Sequence, residues 1–278
     1  MPQSGSTVQY QLTVHLVEGA GLGQNVEWVA PEEWPAVRDK HAGTASWKVF
    51  KTHRCTPEMR AEFDAGNATG VYVFRDIRDV IVSRMKRGDK DFDRMWARTL
   101  ESALTSFQKW TSLESVLVSR YDEMVADLAA EVRRIAQHLG IAVGRSESEA
   151  IASEYTVERQ RERIRQATAE GRLQHIGRSM VDPASQLHVG HVRSGRTGEW
   201  QRELSRQQVA LIEARAGDWL VANGFELTVP AWQRQGLTCR SALRHRMGGL
   251  CGPRRGRTRP LGAGEAAEAA EAAADRDD

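Results

Sequence analysis

The segment Val71-Tyr72-Val73-Phe74-Arg75-Asp76-Ile77-Arg78-Asp79-Val80-Ile81-Val82-Ser83 leaves this chain little freedom. Its first half is a short apolar, β-branched run preceded by Asn67, Thr69 and Gly70, the pattern of a buried strand that ends near Arg75. From Asp76 the apolar residues Ile77, Val80, Ile81 and Met85 recur at three-to-four spacing, which predicts a helix. Asp76 is placed to cap that helix and Asp79 suits the positive end of its dipole. Strand, tight turn and helix therefore meet at Arg75. In an open parallel sheet, ligands sit beyond the carboxyl ends of the strands, so an arginine at this junction is placed to meet an anion. The competing reading is a surface ion pair of Arg75 with Asp76 or Asp79.

A chain of 278 residues with 40% hydrophobic and 27% charged content has room for one α/β domain with a substantial core, and a tail. The net charge of +2 supplies no global field, so any anion site must be local and no nucleic-acid partner is expected. Cys55, Cys239 and Cys251 are few and widely spaced, which fits reduced thiols rather than a disulfide framework. No apolar run has transmembrane length and no basic-then-apolar start resembles a signal peptide. The expectation is a cytoplasmic protein with no membrane span.

The polar start Met1-Pro2-Gln3-Ser4-Gly5-Ser6-Thr7 runs into Val8, Leu12, Leu16 and Val17 at helical spacing. Amides at such a helix start, with hydroxyls beside them, make a phosphate cradle; the plainer reading is a disordered start with a serine cap. Gly19 to Gly23 and Pro31 to Pro35 read as loop or short helix on the substrate side, where Trp28 and Trp34 either line a pocket or pack. Trp47 to Lys51 reads as a strand closed by Thr52-His53-Arg54, Pro57 to Ala65 as a short helix, and Phe92 to Trp110 as a core helix. Val116 to Val118 is a strand. Val125, Leu128, Val132, Ile135, Ala136 and Leu139 predict one amphipathic helix stopped by Gly140. Ser146 to Gly171 is charged, with Arg159, Arg161, Arg163 and Arg165 on an exposed helix. Arg172 to His191 reads as a long loop; its His175, His188 and His191 match no compact zinc pattern, and no metal is expected. A last helix spans about Ser205 to Asn223. The domain is expected to close by residue 229, and from Pro230 to Asp278 a basic and then alanine- and glutamate-rich tail reads as disordered.

Arg75-Asp76-Ile77-Arg78-Asp79, with Ser83 eight positions after Arg75, resembles the 3′-phosphate-binding signature of sulfotransferases that use 3′-phosphoadenosine 5′-phosphosulfate (PAPS). Pro-x-Ser-Gly-Ser-Thr at the start resembles that family's 5′-phosphosulfate loop, and Lys51-Thr52-His53 its catalytic segment. Tyr121-Asp122-Glu123-Met124 is close to its Tyr-Glu-Asp segment, and Arg193-Ser194-Gly195-Arg196-Thr197-Gly198-Glu199-Trp200 to its nucleotide-closing loop. The resemblance covers Pro2 to Phe225. It implies a three-layer α/β/α fold with a central parallel sheet, of the P-loop NTPase-like sulfotransferase type. It also implies sulfuryl transfer from PAPS to a hydroxyl or amine of a small-molecule or glycan acceptor, leaving 3′-phosphoadenosine 5′-phosphate (PAP), with no metal. By the same resemblance His53 is the base and Lys51 a cation on the sulfuryl group, while Gln3, Ser4, Gly5, Ser6 and Thr7 hold the 5′ end. Arg75, Ser83, Arg193, Ser194 and Gly195 hold the 3′-phosphate, with Arg196 a possible addition, and Tyr121 lies near the adenine.

The chain departs from the family at two points. Gln3 stands where the family has lysine or arginine, and only Met1 and Pro2 precede the loop, so the family's first strand is missing; the expectation is an upstream Val/Ile-rich strand in a longer native chain. These departures keep open a protein that binds PAPS or PAP without turnover. A nucleotide kinase is the third reading, although no Gly-x-x-x-x-Gly-Lys-Ser/Thr occurs.

Overall fold

Parallel strands flanked by helices on both faces are what the sequence pattern demands, and the computed structural model, which describes residues 1–88, 91–176, 179–190 and 195–234, has them. In chain order α1 is Ser6–Gly19, β1 Gly23–Trp28, α2 Trp34–His41, β2 Trp47–Lys51, α3 Pro57–Asp64, β3 Gly70–Phe74, α4 Ile77–Gly88 and α5 Phe92–Thr111. β4, Val116–Arg120, leads at once into α6, Tyr121–Ala126, and then α7, Leu128–His138. α8 (Arg145–Glu154) and α9 (Val157–Ala169) precede the short strands β5 (Gln174–Ile176), β6 (Ser179–Asp182) and β7 (Leu187–His188). α10, Trp200–Glu203, and α11, Arg206–Ala222, follow.

Side chains alternate across the strands, and this sorts the core into two layers. Val49 of β2, Val71 of β3 and Leu117 of β4 pack under Leu12, Leu16 and Val17 of α1 and Val132 and Ile135 of α7. On the other face Phe50, Tyr72, Phe74 and Val118 meet α4, α5 and α11 through Ile77, Ile81, Leu100, Ile212 and Leu220. The fold is thus α/β/α with a reduced sheet: β1 pairs with β2 and β3 with β4, each in parallel, and the two pairs are not bonded to each other. Met1 lies beside β3, its ammonium donating to the Val73 carbonyl at 3.0 Å. α1 packs on both pairs and joins them into one layer.

Four readings of local structure change. Gly23 and Trp28, read with the loop or short-helix stretches, belong to the strand β1; it carries few apolar residues and a bulge between Asn25 and Glu27, so the pairing with β2 decides it rather than its own pattern. Gly23 tolerates that pairing because a Cβ there would lie 2.2 Å from the Trp47 carbonyl oxygen. Within the stretch read as a loop, the described residues Gln174–Ile176, Ser179–Asp182 and Leu187–His188 form a three-stranded antiparallel sheet, β5-β6-β7, whose strands are too short for a readable period. The sheet is tied down by Gln11, which donates to the Ser185 carbonyl at 2.7 Å, and by Asn25, which donates to Ala184 at 3.1 Å. Val125 belongs to α6 and is exposed, because Asp127 interrupts the pattern and caps α7 by accepting from the Ala130 amide. The charged region is two helices, broken where Thr156 caps α9. Of the tail, residues 235–278 lie outside the described residues.

Candidate active site

The carboxyl ends of β2, β3 and β4 and the start of α1 open on one cavity of about 1330 Å³. Gln3, Gly5, Ser6, Thr7, Lys51, His53, Arg75, Ser83, Tyr121 and Gly195 all line it, so a set of residues spread over most of the chain meets at one rim. Arg193 and Ser194 lie outside the described residues. Ser4 does not line the cavity; it is fully buried, its hydroxyl within bonding distance of the Met1 and Val73 carbonyls, where it ties the loop to β3.

The Arg-Asp-Ile-Arg-Asp run divides its charges between cavity and scaffold. Arg75 is buried; it donates to the Arg196 carbonyl at 2.6 Å and to Asp79 at 3.2 Å, and its guanidinium lies 4.5 Å over the Tyr121 ring. Its Nε has no hydrogen-bond partner among the described residues. Asp79 accepts from the amides of Gly198 (2.8 Å) and Trp200 (3.0 Å), and Tyr121 donates to the Gly195 carbonyl at 3.3 Å, so the 195–200 segment is strapped across the end of β3. Burial pushes the Asp79 carboxyl up, against the pull of Arg75 and these two amides. Arg78 faces away from the cavity: fully buried, it pairs with Asp76 at 2.7 Å and Glu213 of α11 at 2.8 Å and lies 3.8 Å over Trp200. The surface-pair reading of Arg75 is therefore incomplete, since its partner Asp79 is itself buried and bound to the strap.

At the start of α1, Gln3 (φ 62°) and Gly5 (φ 84°) are left-handed, a turn that presents the following amides to the cavity. Glycine is required at position 5: a Cβ would meet the Tyr121 ring at 2.7 Å. The Gln3 side chain accepts from the Ser83 hydroxyl at 3.2 Å, and Thr7 accepts from the Lys51 ammonium at 2.8 Å.

Lys51 is buried at the end of β2, and burial together with the Arg87 charge brings its pKa down to about 7. His53 is half-buried, edge-on to Trp28 at 5.0 Å, and its backbone carbonyl accepts from Trp110 Nε1 at 3.1 Å. Burial first, and then the neighbouring Lys51 charge, holds the imidazole well below its ordinary pKa, so it is neutral at neutral pH. His188 of β7 lines the same wall; burial and the Lys51 and Arg87 charges lower its pKa to about 3. Trp28 lines the cavity, whereas Trp34 is buried against Phe50 at 4.9 Å. Sequence reasoning missed His188 and Arg87 as site residues. No local signal marks them, because the β5–β7 sheet and the last turn of α4 reach the cavity only through tertiary packing.

No helix among the described residues is long and apolar enough to cross a membrane. Comparison with curated proteins yields no significant match. Among solved structures the fold is similar to retinol dehydratase in complex with androsterone and the inactive cofactor PAP, with a TM-score of 0.54, 15% identity, and 82% of this chain and 80% of that one covered. Retinol dehydratase with retinol and PAP gives 0.54 at 16% identity over 83% and 81% of the two chains. Mouse sulfotransferase SULT7A1 complexed with PAP gives 0.50 at 17% identity over 79% and 80%. The family model described as the sulfotransferase domain matches residues 2–223, and with the motif segments gathered at one cavity in a fold of this kind, the chain belongs to the sulfotransferase domain family.

Proposed function

We propose that this protein transfers a sulfuryl group from PAPS to a hydroxyl or amine acceptor within this cavity. The observation that carries the reading is Arg75: a buried guanidinium on the cavity wall whose Nε lacks a partner among the described residues, with Ser83 lining the same cavity. An unpartnered buried donor is costly unless an anion completes it. The residues present fit the donor. Arg75 and Ser83 suit its 3′-phosphate, with the Ser83 hydroxyl exchanging its 3.2 Å bond to Gln3 for a phosphate oxygen. The amides of the Gly5–Thr7 turn, with Ser6, Thr7 and Lys51, suit its 5′ end, and the cavity exceeds the roughly 300–1,000 Å³ of ordinary ligand sites.

When bound, PAPS supplies a sulfur linked to a phosphate leaving group. His53, neutral as the base form must be, takes the proton from the acceptor as the acceptor attacks sulfur, and Lys51 offers positive charge to the sulfuryl and bridging oxygens. Gln3 favours a second reading, a protein that holds PAP without turnover, since its side chain is engaged with Ser83 and brings no cation. Titration with PAP, PAPS and ATP, followed by incubation with sulfur-labelled PAPS and an acceptor panel, tests both. PAP and PAPS are expected to bind far better than ATP, and label to move to acceptor. Equal affinity for ATP and PAPS refutes the donor site, and tight binding without transfer to any acceptor leaves the silent binder.

A further inference from the structure

Away from the Gly5 turn, the cavity wall built by the segment after β2, the end of α4 and the start of α5 carries Arg54, Arg84, Arg87, Arg94 and Arg98. Its acidic members are Glu32, paired with Arg54 at 2.5 Å, and Asp91, whose carboxylate caps α5 by accepting from the Asp93 amide at 2.8 Å. Arg87 sets this wall beside the reacting end, since its charge acts on Lys51, His53 and His188.

Arg94 and Arg98 stand apart because they have no ion pair among the described residues. Glu101, which spacing brings within reach of Arg98, is instead paired with Arg215 at 2.6 Å. Two like charges four apart on one helix repel, and both sit in its first two turns, where the dipole disfavours cations. They therefore do not serve the stability of α5; both are exposed to solvent and both line the cavity beside the buried Met95.

We propose that the acceptor carries an oxyanion, a carboxylate or a sulfate, that docks on Arg94 and Arg98 while its nucleophile faces His53. The proposal rests on the sulfotransferase reading above. A fixed oxyanion at this wall orients the acceptor and distinguishes it from neutral alcohols of the same shape.

The test uses the full chain saturated with PAP and matched probe pairs: 4-hydroxyphenylacetate against 4-hydroxyphenylethanol, and methyl glucuronide against methyl glucoside, with 4-hydroxybenzenesulfonate reporting on the sulfonate-like arm. Wild-type protein is expected to bind a charged member roughly fivefold more tightly than its neutral counterpart, the size of two solvent-exposed charge contacts. The double variant Arg94→Gln/Arg98→Gln is expected to lose that preference, Arg94→Lys/Arg98→Lys to keep part of it, and both to bind PAP as wild type does, which also reports that they fold. PAP binding reads the donor site separately: its absence in the wild type removes the parent reading and this one with it. Normal PAP binding with no preference for a charged probe, or a preference that survives in the double glutamine variant, overturns the acceptor proposal alone.

Discussion

The Lys51 ammonium donates to the Thr7 hydroxyl at 2.8 Å, joining the end of β2 to the first turn of α1 at the point where the donor's 5′ end is proposed to sit. Burial and Arg87 lower the Lys51 pKa from 10.5 to about 7, so the group is a cation below that pH and neutral above it. Affinity for the anionic donor is therefore expected to fall as pH rises from about 7 to 9, with a proton taken up on binding; calorimetry in two buffers of different ionisation heat measures it. Lys51→Met should bind weakly and lose this pH dependence. The sign for stability of the free protein is opposite. Above about 7 the folded chain has shed a proton that the unfolded chain keeps, so this group adds stability as pH rises from about 7 towards 10.5.

Arg75→Ala should weaken PAP binding by about 1.5–3 kcal/mol, roughly ten- to a hundredfold, while adenosine 5′-phosphate, which lacks the 3′-phosphate, should lose little. Because Arg75 also donates to the Arg196 carbonyl, melting should be recorded with the titration. Equal losses for both nucleotides would assign Arg75 to the scaffold.

His53→Ala should lower kcat by roughly a hundredfold or more and leave PAP affinity unchanged. The local backbone should survive the truncation, since Trp110 holds the His53 carbonyl rather than its ring. Single-turnover transfer of labelled sulfuryl is the measurement, and unchanged turnover would remove the imidazole from the chemistry.

Asp79→Ala leaves the Gly198 and Trp200 amides and one Arg75 contact without their acceptor, which should cost about 3–5 kcal/mol. Asp79→Asn keeps one acceptor oxygen and should cost less. Urea unfolding of the two variants against wild type checks the order, and a fully stable alanine variant would show that the strap stands without Asp79.

Where neighbouring residues in the chain also meet in space, the sequence could be read. The turn from β3 into α4 is written in a run of β-branched residues followed by three-to-four spacing, and Gly5, Arg75 and Tyr121 fall at strand or helix ends for that reason. Distant partners were not legible. Nothing local to Arg78 announces Glu213, 135 residues on, as its buried partner. β1 owes its conformation to β2 rather than to its own polar residues, and His188 reaches the cavity from strands only two to four residues long. Gln11 and Gln160 bury a side-chain bond of 2.6 Å between helices 149 residues apart, and neither glutamine announces this locally.

The strap over the end of β3 bears on how fast a nucleotide binds. Arg196, Gly198 and Trp200 are held by protein groups alone, so most of the ordering of this segment precedes any encounter with ligand. Little conformational entropy of residues 195–200 is then left to lose on association, and this part of the site is in place when a nucleotide arrives. The amide protons of Gly198 and Trp200 should accordingly exchange slowly with solvent even in the free protein, and a bound nucleotide should slow them only slightly further.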